Sequence, residues 1–89
     1  MNWAWRFESE ALRELRRLDF AAQQRIIRFL DTRVRGSNDP RRFGKSLSGS
    51  KHGLWRYRVD DHRIVAEIRE RELLVLVVRV RHRKDAYDF

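Results

Sequence analysis

Apolar and polar residues alternate strictly at the start of this chain. Trp3, Trp5 and Phe7 fall on one side of residues 2–7, and Asn2, Ala4 and Arg6 on the other. That period of two predicts a strand with a large aromatic face. From Ser9 the period changes. Ala11, Leu12, Leu15 and Leu18 recur at helical spacing, with Arg13, Arg16 and Arg17 opposite them, so Ser9 is expected to cap a short helix. Asp19 is a second capping candidate. It precedes a longer helix whose apolar face is Ala22, Ile26, Phe29, Leu30 and Val34, with Gly36 placed to end it. So little chain separates the two helices that an antiparallel hairpin is expected. Ser37-Asn38-Asp39-Pro40 reads as a loop, and residues 41–53 as mixed, basic chain in which Leu47 touches the core.

Alternation returns in the second half. Residues 54–59 place Trp55, Tyr57 and Val59 on one face and Arg56 and Arg58 on the other. After an Asp60-Asp61 turn, residues 62–69 place Ile64, Ala66 and Ile68 opposite Arg63, Val65 and Glu67. Residues 73–80 are apolar on both faces, as a central strand requires. The tail from Arg81 to Phe89 is polar, with room for a helical turn. The expected fold is α+β in one domain, residues 1–89: an N-terminal strand, an antiparallel helical hairpin, then a three-stranded antiparallel meander. The helices cover the Trp, Tyr and Ile face of the sheet and leave the arginines on the other.

Composition sharpens this picture. The chain carries 21 Lys and Arg against 13 Asp and Glu, a net charge of +8, and all but Lys45, Lys51 and Lys84 of the 21 are arginine. Arginine grips phosphate through a planar fork and stacks on bases, which points to nucleic acid. The chain has no cysteine, which excludes disulfides and thiolate metal sites. Its start lacks the apolar core of a signal peptide, and its longest apolar run is too short to cross a bilayer. A cytoplasmic location without membrane association is therefore expected. Glu10 and Glu14 are an acidic pair without further ligands, so neither a metal site nor a cofactor is expected.

Arg56, Arg58, Arg63, Arg79 and Arg81 should converge on the uncovered face, with His82, Arg83 and Tyr87 following. Like charges repel unless an anion separates them, so the cluster reads as a phosphate site. RNA can be cut there without metal. A base takes the 2′-OH proton, cations stabilise the phosphorane and an acid protonates the leaving oxygen. Arginine serves the second role and is a poor base.

Several segments, in order, resemble the RelE/ParE toxin superfamily. They are Phe7-x-x-x-Ala11-Leu12-x-x-Leu15, Lys45-x-Leu47-x-Gly49, Leu54-Trp55-Arg56-Tyr57-Arg58-Val59, Arg63-Ile64-Val65-Ala66-Glu67-Ile68 and Val80-Arg81-His82-Arg83-Lys84-Asp85-Ala86-Tyr87. The resemblance implies a RelE-like fold and a toxin of a type II toxin–antitoxin pair, one that cuts mRNA in the ribosomal A site. In it Arg56 and Arg58 stand where the archetype has lysines, Arg63 matches a strand arginine, Arg83 a C-terminal arginine and Tyr87 a tyrosine. Relatives use His or Glu as base, which makes His82 a candidate and leaves the general base open. Expected RNA contacts beyond this set are Arg13, Arg16, Arg17, Lys45, Lys51, Arg79, Arg81 and Lys84. The expected partners are the ribosome with its mRNA and an acidic, RelB-like antitoxin. Two other readings stand beside this one: a ParE-like gyrase poison without nuclease chemistry, and a non-toxic basic binding module.

Overall fold

A computed structural model describes residues 2–47 and 53–85. Lys51, Gly49 and Tyr87 lie outside the described residues. The first strand, β1 (Ala4–Phe7), leads into α1 (Ser9–Arg16) and α2 (Phe20–Phe29). β2 (Gly44–Ser46), β3 (Leu54–Val59), β4 (His62–Arg69) and β5 (Leu74–His82) follow. They form one sheet in the order β1-β5-β4-β3-β2, with β1 parallel to β5 and the remaining pairs antiparallel. The α+β expectation holds, with both helices on one face. β5 is flanked by β1 and β4, as its two-sided apolarity required. The short edge strand β2 was only half legible: Lys45 and Ser46 are polar, and three residues carry no periodic signal.

Asp19 caps α2 as expected, its Oδ1 accepting from the Ala22 N–H at 2.7 Å. Ser9 does not cap α1. It is the first helical residue, and Glu8 before it is extended because its N–H still donates to the Val77 carbonyl of β5 at 2.8 Å. The second helix also changes character. Past Phe29 it widens into a π-helical segment, Leu30–Val34, where Arg35 N–H reaches back to the Leu30 carbonyl. Gly36 follows its end, where a side chain would stand 2.9 Å from the Thr32 carbonyl oxygen. β5 begins one residue later than expected, since Leu73 is left-handed after the 3-10 turn Glu70–Glu72. It also runs two residues further, to His82.

Trp3, Ala11, Leu15, Ile26, Leu30, Val34, Tyr57, Val59, Ile64, Ala66, Val75, Val77 and Val80 form the buried core, with Trp5 and Phe7 packed against it. Burying such aliphatic side chains contributes about 1.5–3 kcal/mol each. Leu47 is half-buried and closes the β2–β3 hairpin, its N–H donating to the Leu54 carbonyl at 3.1 Å, rather than joining that core. Tyr57 is the largest fully buried side chain. It stacks at a tilt on Phe29 with ring centroids 5.6 Å apart, and its hydroxyl donates to the Pro40 carbonyl at 2.8 Å. Burial pushes its pKa up, so the hydroxyl stays a donor. Tyr57→Phe removes that long-range hydrogen bond. The expected loss is about 1–2 kcal/mol, read from urea denaturation with an unchanged slope.

Candidate nucleic-acid interface

Strand alternation and register place the cations on the face away from the helices. Arg58 pairs across to Arg63, and Arg63 across to Arg81, which sets three guanidinium groups in one cross-strand row. The next row runs Lys45, Arg56, Val65 and Arg79. The row beyond, Leu54, Glu67 and Leu76, is mostly apolar. Val65 is buried on this face, at 1% exposed, between Arg56 and Arg79 in the row. A one-residue bulge on β5 keeps Arg79 and Arg81 on this face. Ala66 pairs with Val77 but Val65 with Arg79, and Val78 is skipped.

The cations differ in how they are held. β1 ends at Phe7, so the edge of β5 beyond Val77 loses its strand partner, and α1 takes its place. Glu14, whose side chain is 15% exposed, accepts from the Val80 N–H at 2.8 Å and from Arg81 Nε at 2.7 Å. Glu10, one turn earlier, accepts from Arg79 Nη1 at 2.7 Å. The pair that looked like a poor metal site is thus the counter-charge of β5; its i, i+4 spacing was the available signal. Among the described residues, His, Asp and Glu side chains form no cluster of three or more that could hold a metal ion.

Arg56, Arg58, Arg63 and Lys45 have no carboxylate partner among the described residues. Arg63 Nε is buried with no hydrogen-bond acceptor. Such an orphan donor costs about 1–3 kcal/mol, which an anion would recover. Beside this row an open groove of about 390 Å³ is lined by Arg42, Phe43, Gly44, Lys45, Arg56 and Arg58. Arg42 and Phe43 were not singled out from sequence. Phe43 carries Arg33 and Arg42 over its ring, at 5.6 and 5.9 Å from the centroid, so the groove combines cations with an aromatic surface. Gly44 is required there, since a Cβ would lie 2.3 Å from the Arg56 carbonyl oxygen.

The remaining candidates lie apart from this row. Arg13, Arg16 and Arg17 are exposed on and just after α1. Arg83 and Lys84 open the 3-10 turn Arg83–Asp85, with Arg83 Nη1 4.0 Å from Asp61 Oδ1. His82 does not join the cations. It pairs with His62 at the end of the sheet, on the helix side, the rings 5.3 Å apart and edge-on. His62 titrates below the usual histidine range, first because burial penalises its charged form and then because of His82 beside it.

The sequence profile of the family described as "ParE toxin of type II toxin-antitoxin system, parDE" matches residues 5–87. The chain belongs to this family. It is a RelE/ParE-type toxin of a type II toxin–antitoxin system. Among proteins with curated functions, none matches. The toxin's fold is similar to that in the RelBE2 toxin–antitoxin complex of Mycobacterium tuberculosis, at 24% identity over 92% of this chain and 99% of that one, with a TM-score of 0.82. It is also similar to that in the RelE–RelB complex of Pyrococcus horikoshii, at 21% identity over 97% and 100% of the two chains, TM-score 0.75. A doubly substituted free RelE toxin of E. coli aligns at 22% identity over 99% and 90%, TM-score 0.77. At these identities the likeness is one of fold.

Removing the Glu14 carboxylate separates its role from that of Glu10. Glu14→Ala takes the acceptor from the Val80 N–H and a partly buried carboxylate from Arg81, and is expected to cost about 2–3 kcal/mol. Glu10→Ala breaks an exposed pair and should cost under about 1 kcal/mol. Chemical denaturation of the two variants beside the parent checks the difference.

Proposed function

We propose that the uncovered sheet face cleaves RNA, and that the toxin acts on mRNA held in the ribosomal A site in the cytoplasm. The row Arg58, Arg63, Arg81, with its buried and unsatisfied Arg63 Nε, carries this reading. In the reaction a ribose 2′-OH attacks the adjacent phosphorus, and negative charge gathers on the non-bridging oxygens as the 5′-oxygen leaves. Arg56, Arg58 and Arg63 stabilise that charge from a partly desolvated face, where each interaction is stronger than in water. The family resemblance adds Arg83 and Tyr87 to this set. The groove beside Phe43 suits a flanking nucleotide, with Lys45 and Arg42 on its phosphates.

A guanidinium cannot be deprotonated at ordinary pH. A face built of arginines therefore stabilises charge better than it moves protons. Such a surface suits an RNA already bent into line by another body, which favours a ribosome-held substrate over free RNA. The net charge of +8 also calls for an acidic antitoxin, RelB-like, to cover the face when the toxin is silent. The solved relatives in complex with RelB support that partner.

A second reading has its own support: the matched profile is that of ParE toxins, which makes DNA gyrase the alternative target. Ribosomes programmed with a defined mRNA and an empty A site decide between them. Primer extension should show new 5′ ends with the parent toxin, and Arg58→Ala and Arg63→Ala should each slow cutting by about 10²-fold. Tyr87→Phe should slow it as well. Intact mRNA together with inhibited gyrase supercoiling would overturn the nuclease reading.

A further inference from the structure

The end of β5 carries two ionisable side chains that leave the sheet in opposite directions. Arg81 faces the cationic row, and His82, in register with His62, faces the helix side. His82 Nδ1 accepts from the Lys84 N–H at 3.2 Å. The amide between them, Arg83 N–H, donates to the Asp61 carbonyl at 2.8 Å, and the Arg83 guanidinium lies 4.0 Å from the Asp61 carboxylate. Two consecutive backbone amides are thus fixed as the strand becomes the turn Arg83–Asp85.

We propose that His82 is a positioning residue: its Nδ1 caps the turn after β5 and so steadies Arg83 at the β3–β4 turn. The catalytic half of this inference rests on the nuclease reading above; the cap itself does not. An imidazole that accepts at Nδ1 carries its proton at Nε2. Such a ring has no lone pair left with which to take a proton from a 2′-OH. Its place on the helix side of the sheet, packed edge-on against His62, removes it from the cations in any case.

The cap exists only while the ring is neutral. Protonation puts a hydrogen on Nδ1, which then opposes the Lys84 N–H instead of accepting from it. The charged groups that act on His62 are His82, Asp61 on the turn, Asp19 capping α2 and Arg25 within that helix, with Arg25 tied to Asp60. Lys84 and Arg83 follow on the same turn. Acid is therefore expected to break the Lys84 N–H bond and loosen the turn that carries Arg83. The depressed titration of His62 agrees with a pair that disfavours charge.

Two substitutions separate positioning from chemistry. In His82→Asn the Oδ1 takes the place of Nδ1 and cannot be protonated in this range; in His82→Gln the side-chain oxygen reaches past it. Amide exchange of Lys84, followed by NMR across about pH 5 to 8, reads the cap without any substrate. The parent should lose Lys84 protection on acidification, His82→Asn should keep it throughout, and His82→Gln should lack it at every pH. Cutting of ribosome-bound mRNA should stay within about 3-fold of the parent in His82→Asn and fall ~10- to 10²-fold in His82→Gln. Protection that ignores pH in the parent overturns the cap. A His82→Asn variant that keeps Lys84 protected yet no longer cuts overturns the positioning role and makes the imidazole part of the chemistry. If the parent itself cuts nothing, the nuclease reading fails, while the exchange data still decide the cap.

Discussion

The carboxylate of Glu14 is the contact on which the working face depends. A parallel β1 satisfies β5 only as far as Val77, and the chain must then leave the sheet to enter α1. From that point β5 would present a bare edge, a costly arrangement for a strand that carries functional side chains. Glu14 supplies an acceptor to the Val80 N–H and holds Arg81 in the same carboxylate. One helix thus replaces a missing strand and neutralises two of the strand's arginines. The bulge at Val78 belongs to the same solution, because it brings Arg79 and Arg81 onto the face where Glu10 and Glu14 can reach them.

Selective pairing turns a merely basic protein into one with a directed surface. Arg25, Arg41, Arg69, Arg79, Arg81 and Arg83 each have a carboxylate neighbour. Among the described residues Lys45, Arg56, Arg58 and Arg63 have none, and they lie together on adjacent strands beside the buried Val65. Cations gathered in this way raise the free energy of the isolated protein. That cost is recovered only when an anion arrives, whether an RNA phosphate or the carboxylates of an antitoxin segment. On the proposed reading, target and antitoxin would compete for the same cationic face.

Much of this was legible in the residues themselves. Alternation in Trp55-Arg56-Tyr57-Arg58 and in Arg63-Ile64-Val65-Ala66 fixes which side chains share a face, and the Asp60-Asp61 turn fixes the register of the two strands. The location of Arg56, Arg58 and Arg63 followed directly. Features that depend on tertiary context did not follow. Ser9 looked like a cap, yet a ladder hydrogen bond at Glu8 decides where α1 starts. Alternation carried past Val77 misplaces every later residue by one face, since nothing local announces the bulge; Arg79 and Arg81 were expected on the uncovered face and lie there, whereas His82, grouped with them, lies on the other. Arg42 and Phe43 were hidden because their contribution depends on a 3-10 turn folding against the β2–β3 edge, a feature without periodicity.

The consequence of that shifted phase reaches the chemistry. A histidine following an arginine at the end of a strand next to a phosphate-binding face invites assignment as the general base. Strand geometry opposes it: neighbours on a strand point to opposite faces, and Arg81 already occupies the cationic one. For His82 to serve there, β5 would have to twist by a residue and surrender the Glu14 bonds at Val80 and Arg81. The sheet therefore cannot offer both residues to one substrate. It offers Arg81 to the charge-bearing face, and it leaves the imidazole to organise the turn through which the chain continues.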